Sequence, residues 1–174
     1  MKHTRVIVTR YGGPDAITVV QEERPEPKPD EVRVRVLAAG VSLPDIMMRE
    51  GIHPEKPVPP FTPGWDLVGI VDRVGTQVSG IQAGEVVMAL PMTGAYAEYV
   101  CLPSEEVFRV PRGLDPAETV SLGLNYVTAY QTAKGASPER VRTDFADSPS
   151  SVCMWQPAGC CRDEGEWCRT AFSG

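Results

Sequence analysis

The chain has 174 residues, 17 Lys+Arg against 23 Asp+Glu, and a formal net charge of −6. At roughly 150 residues per domain this is one domain, or one and a fragment, with about 70% of its unfolded surface to hide. A hydrophobic content of 42% with 23% charged residues excludes a fully disordered chain. The acidic balance excludes nucleic acid as the main partner, and no apolar run approaches the roughly 18 residues of a membrane span.

In chain order, Thr4 to Tyr11 (TRVIVTRY) reads as a strand, with Gly12 to Asp15 as its turn and Ile17 to Gln21 as the return strand. Glu23 to Asp30 holds three prolines in eight residues and is expected as an exposed, extended linker. From Glu31 to Ala39, Val32, Val34 and Val36 alternate with Arg33 and Arg35, the pattern of a strand with one buried and one wet face. Gly40 is expected to end it. Ser42 can cap a short helix running to about Arg49, with Pro44 in its first turn and Gly51 as its stop.

His53 to Pro63 carries five prolines and reads as a loop. Asp66 to Val74 is a strand in which Gly69 predicts a close backbone approach or a bend. Further strands are expected at Glu85 to Leu90, Ala95 to Leu102 and Val107 to Val110. Asp115-Pro116-Ala117-Glu118 starts a helix with Pro116 at the first helical position and a capping box closed by Glu118. Gly123 interrupts, and Asn125 to about Lys134 forms a second helical stretch. The fold class that follows is mainly β with short helices, a distorted barrel over the first 111 or so residues.

The end of the chain differs in composition. Leu and Ile number 14 before Asn125 and none from there to Gly174. Four of the five cysteines, Cys153, Cys160, Cys161 and Cys168, crowd the same end. A zinc module fits their spacing badly, since structural zinc takes pairs two to four apart. A disulfide staple needs an oxidising compartment, and MKHTRVIVTRYGG lacks the apolar core of a secretory signal. The expectation is a cytoplasmic protein whose residues 132–174 form a disordered, Cys-rich tail without a selected fold.

Five blocks resemble one family. They are VLAAGVSLPDIMMREG (Val36 to Gly51), GWDLVGIVDRVG (Gly64 to Gly75), GIQAGEVVMAL (Gly80 to Leu90), GAYAEYV (Gly94 to Val100) and LNYVTAYQ (Leu124 to Gln131). In order and at the expected spacing, they resemble the N-terminal, GroES-like catalytic domain of the medium-chain dehydrogenase/reductase superfamily, nearest the zinc-free quinone oxidoreductases (zeta-crystallin-like). The resemblance spans residues 1–131. It implies a GroES-like barrel, NADPH as the coenzyme, and hydride transfer to a quinone or an activated alkene or carbonyl as small-molecule substrate. It also implies a cleft against a Rossmann domain.

The resemblance assigns residues too. Zinc alcohol dehydrogenases carry a ligand Cys where Ser42 stands and a ligand His where Trp65 stands; neither side chain suits catalytic zinc, so no metal is expected. Ser42 then serves as a hydrogen-bond donor near the nicotinamide, or only as a helix cap. Asp45 either contributes to the cleft or satisfies the first helical turn. Trp65 walls the substrate cleft or packs in the core. Asn125 and Thr128 fall in a stretch that lies beside the coenzyme, and Tyr126 is a donor to substrate oxygen or a core residue. His3 is terminal and His53 lies in the proline-rich loop; neither pairs with a nucleophile, so no hydrolase triad is expected.

After Gly123 there is no G-x-G-x-x-G cluster and no βαβ unit to cradle a pyrophosphate. The chain alone is therefore expected to be inactive. Two rival readings are a non-enzymatic binding module and a metal-binding protein built on the cysteine tail.

Overall fold

The computed structural model describes residues 1–135 and 153–155, with side chains up to Gln131. Eight strands and three short helices follow in order: β1 (Lys2–Val8), β2 (Ile17–Glu23), β3 (Glu31–Val41), α1 (Leu43–Glu50), β4 (Leu67–Val74), β5 (Val86–Ala89), β6 (Tyr99–Pro103), β7 (Val107–Arg109), α2 (Pro116–Ser121), α3 (Val127–Gly135) and β8 (Cys153–Trp155). β1 and β2 form an antiparallel hairpin whose turn is a single 3₁₀ turn at Pro14–Ala16. The other strands form one sheet in the order β6-β3-β4-β5-β7, with β8 paired to the far end of β3. Among the described residues no ladder closes the two sheets into one cylinder. Backbone bonds join them instead: Val6 N–H to Tyr96 O at 2.9 Å and Val8 N–H to Phe61 O at 2.8 Å.

β-branched residues with one face to the interior account for the sheet. Val32, Val34, Val36, Leu67, Val71 and Val87 are almost entirely enclosed and form the main core with Tyr96, Leu102 and Val107. A second cluster, Val8, Ala16, Met48 and Phe61, ties the hairpin to α1. A third, Ala38, Val68 and Val120, seats α2 on β3 and β4. Gly69 acts as its sequence suggests: a Cβ there would meet Arg35 O at 2.5 Å across the β3–β4 ladder.

The structure corrects several expectations. Gly40 does not end β3, which runs on to Val41. On the face expected to be wet, Arg35 is exposed but Arg33 is not. Arg33 is only 6% exposed, because the supposedly free linker folds over it. Its guanidinium donates to Asp72 Oδ2 at 2.7 Å, Pro25 O at 2.9 Å and Glu26 Oε1 at 3.0 Å. His3, although near the N-terminus, is buried, edge-on to Tyr99 with ring centroids 6.2 Å apart. β6 is shorter than the predicted Ala95 to Leu102.

Gly123 does not interrupt the helix. Leu122–Tyr126 forms a π turn that joins α2 to α3. Of the capping box at α2, the Asp115 half is present, accepting from Ala117 N at 2.8 Å and Glu118 N at 3.1 Å. Among the described residues no helix is long and apolar enough to cross a membrane. The expected zinc, disulfide and disorder readings of the cysteine tail fall outside the described residues, apart from the backbone of β8.

Candidate active site

The site begins where β3 runs into α1. Ser42 has extended backbone angles (φ −130°, ψ 164°) and is the N-cap of α1, which ends at Gly51 in the left-handed region (φ 76°). The Ser42 hydroxyl donates to Asp45 Oδ2 at 2.7 Å, and the Ser42 N–H donates to the same oxygen at 2.9 Å. The other oxygen of Asp45 accepts the Gly64 N–H at 3.0 Å. Ser42 is thus a helix cap whose hydroxyl is oriented by a buried acid. Burial pushes the Asp45 carboxyl above its ordinary range, against the pull of these donors and of the Tyr96 hydroxyl.

Tyr96 rises from the other side of the site and donates to Gly40 O at 3.0 Å. Enclosure raises its phenol well above the ordinary value, and the neighbouring Asp45 charge adds to the rise. Beneath lies a second buried acid, Asp66, at the entry to β4. Asp66 Oδ1 accepts the Gly40 N–H at 3.0 Å, and Asp66 Oδ2 accepts the Leu124 N–H of the π turn at 3.3 Å. Desolvation lifts the Asp66 carboxyl to about 6; the Asp45 charge adds to the rise, while the two N–H groups oppose it. Gly40 is required here, since any Cβ would drive into Asp66 Oδ1. The two buried carboxyls thus lie close enough to interact, and burial together with like charge shifts both upward from the ordinary carboxylate range.

Trp65 is half-buried against the Val8, Ala16, Met48 and Phe61 cluster, with Met92 beside it. It meets His53 edge to face at 5.5 Å between ring centroids. Asn125, Tyr126 and Thr128 stand on the π turn and the first turn of α3, all exposed, with Tyr126 at 65%. The structure therefore brings Ser42, Asp45 and Trp65 together at one end of the barrel and Asn125, Tyr126 and Thr128 together on the helical run. Among the described residues no hydrogen bond joins Tyr126 to Ser42 or Asp45.

What links the two groups is Asp66, which grips the residue two before Ser42 and the residue just before Asn125. Neither Asp66 nor Tyr96 is among the residues expected from the sequence. The signal for Asp66 was an acid abutting an unbroken apolar run, where a buried charge demands partners. Among the described residues no three of His, Cys, Asp and Glu come together to hold a metal ion.

This fold belongs to a known class of domain. Residues 28–112 match the alcohol dehydrogenase GroES-like domain. The chain is 35% identical over 125 residues to the human (Homo sapiens) synaptic vesicle membrane protein VAT-1 homolog-like, covering 72% of this chain and 30% of that one. It is 36% identical over 124 residues to the quinone oxidoreductase of Sus scrofa, covering 70% and 38%. The Escherichia coli quinone oxidoreductase solved with NADPH superposes with a TM-score of 0.69 at 27% identity, over 73% of this chain and 39% of that one. The chain belongs to the medium-chain dehydrogenase/reductase superfamily, as a quinone-oxidoreductase-like N-terminal domain. It spans about a third of the length of the curated relatives it matches.

Proposed function

We propose that this chain supplies the catalytic-domain portion of an NADPH-dependent, zinc-independent oxidoreductase that moves a hydride to a quinone or to an activated alkene or carbonyl. The observation that carries this reading is the Asp66 clamp. One buried acid fixes the strand end that presents Ser42 and the π turn that presents Asn125, Tyr126 and Thr128. A substrate side and a coenzyme side are thereby held in one frame, as proximity catalysis requires.

In this reading Tyr126 donates a hydrogen bond to the substrate oxygen in place of a metal, and Ser42 joins it when its single O–H turns from Asp45 Oδ2 to the substrate. Asp45 holds the Ser42 hydroxyl and sets its direction. Trp65 walls the cleft. Asn125 and Thr128 hold the nicotinamide end of the coenzyme, which when bound supplies the hydride. Their exposed polar side chains beside an exposed aromatic ring suit that end of the molecule. The described residues contain no glycine-rich cradle for its pyrophosphate, and residues 132–174 add none in their sequence.

Two experiments test this. The purified chain, mixed with NADPH and a quinone, is expected to consume no NADPH above a blank; consumption would refute inactivity of the isolated chain. Residues 1–131 joined to the part of the Escherichia coli quinone oxidoreductase that they do not match are expected to restore quinone reduction. A chimera that binds NADPH yet reduces neither quinones nor enones would overturn the assignment. A non-enzymatic binding role is the second reading, favoured by Leu122, Tyr126, Val127 and Tyr130, large apolar side chains exposed along one helical run.

A further inference from the structure

The cations of this acidic chain are unevenly satisfied. Up to Gln131 there are twelve Lys and Arg, and seven of them are ion-paired with a carboxylate. The remaining five are Lys2, Arg24, Arg35, Lys56 and Arg112. Three of these five, Lys2, Arg24 and Arg35, line a single groove of about 590 Å³. Unpaired cations scattered over a surface need no explanation. Three gathered around one concavity, against two acids in the same lining, give it a net positive lining in a chain of net charge −6.

The groove has a defined construction. Its floor is the outer side of β3 at Val36 and Leu37, and the start of α2 closes one side. The Tyr99 ring forms a wall, and the Arg24 guanidinium lies flat on it at 3.8 Å from the centroid. That stacking fixes the plane of Arg24 and leaves its charge uncompensated. Its Nε has no hydrogen-bond partner, and its Nη2 reaches only the weak acceptor Met1 Sδ at 2.9 Å. Arg35 is exposed on the same side of the sheet, and Lys2 approaches from the first strand.

Two acids also border the groove, and both are already engaged. Glu98 accepts the Thr4 N–H at 2.7 Å, and Asp115 caps α2 through Ala117 and Glu118. Neither is paired with the three cations. The volume lies in the range of small-molecule sites, which runs from about 300 to 1,000 Å³.

We propose that this groove binds a small, multiply charged anion of the phosphate class, held by Lys2, Arg24 and Arg35 against the Tyr99 wall. A stacked, pre-oriented guanidinium with two flexible cations suits forked phosphate oxygens better than a single carboxylate. The volume of this open groove fits a small molecule. The site does not depend on the oxidoreductase reading. Thr128 lies eleven residues beyond Ala117, roughly 16 Å along the helical run.

The test titrates inorganic pyrophosphate into the uniformly ¹⁵N-labelled full chain at low salt, and repeats the titration in Arg35→Glu, Lys2→Glu and, as control, Lys56→Glu. The expected result is saturable shifts confined to Lys2, Arg24, Arg35, Tyr99 and Ala117. Arg35→Glu and Lys2→Glu should each weaken the dissociation constant about tenfold or more, as for loss of one charge-assisted contact, and Lys56→Glu should leave it within about twofold. Arg35 and Lys2 are exposed, so their amide spectra should otherwise match the wild type, which separates lost binding from lost folding. No saturation by about 10 mM pyrophosphate, equal weakening in the Lys56→Glu control, or equal displacement by chloride at matched ionic strength would overturn the proposal. A phosphotyrosine peptide titrated in parallel distinguishes the source: binding stronger than that of pyrophosphate would overturn the small-molecule assignment.

Discussion

Asp66 offers the sharpest test of the physical account. Its carboxyl is raised from 3.8 to about 6 in the folded chain, chiefly by burial. A folded-state value above the unfolded one means that the native protein binds more protons than the unfolded chain between pH 4 and 6. Stability from this group is therefore fully present below about pH 4 and is lost as the pH rises through 6. A shift of about two units corresponds to about 3 kcal/mol.

In Asp66→Asn that titration is gone. The amide presents one acceptor instead of two, so one of the Gly40 and Leu124 N–H groups loses its partner, at a pH-independent cost of about 1–3 kcal/mol. The constant cost cancels when the two proteins are compared across pH. Urea unfolding followed by far-UV circular dichroism, from pH 4 to 7, should show the variant gaining on the wild type by about 3 kcal/mol over that range. Asp45 contributes to the Asp66 shift, so the curve belongs to the pair. The Asp45→Asn, Asp66→Asn double variant should be the flattest of the series. A difference between wild type and Asp66→Asn that is constant with pH, or that changes in the opposite direction, would refute the argument from desolvation.

Other outcomes follow from the same structure. Gly40→Ala forces a methyl group into Asp66 Oδ1 and is expected to cost about 1–3 kcal/mol, read as a lowered thermal midpoint. Asp72→Ala should destabilise by about 1–3 kcal/mol and clearly more than Glu26→Ala. Both carboxylates hold the enclosed Arg33, but Asp72 is 27% exposed and Glu26 63%; equal effects in urea melts would contradict this. Burial pushes the Cys101 thiol up to about 11 from 9.0. Its alkylation at pH 8, followed by mass spectrometry of its peptide, should run about tenfold slower in the folded chain than in urea, the lost thiolate being partly offset by greater nucleophilicity.

Much of the fold could be read directly because the relevant forces are local. The alternation of Val32, Val34 and Val36, the cap at Ser42 and the Asp115-Pro116 helix start need only neighbours in sequence to be recognised. Arg33 was misjudged for the opposite reason: its partners lie on Asp72 and on a loop that looked solvent-borne, and no periodicity announces an ion pair across strands. Gly123 was read as a breaker because glycine weakens isolated helices. In the fold the same residue lets the helical run pass close to Met88 and Asp66. Near the candidate site, the cap at Ser42 and the acid in its first turn, Asp45, were legible through their block of sequence. Asp66 and Tyr96 were not, because their importance arises only when residues 26 and 58 positions apart meet on one carboxylate.

The seam between hairpin and sheet bears on how the chain is made. The β1–β2 hairpin completes itself within its first two dozen residues, but its outer edge waits for Tyr96 and Glu98, which arrive about ninety residues later. At 5–20 residues per second that edge stays unsatisfied on the ribosome for roughly 5–20 s. Throughout that interval the nascent edge has water in place of its later backbone partners.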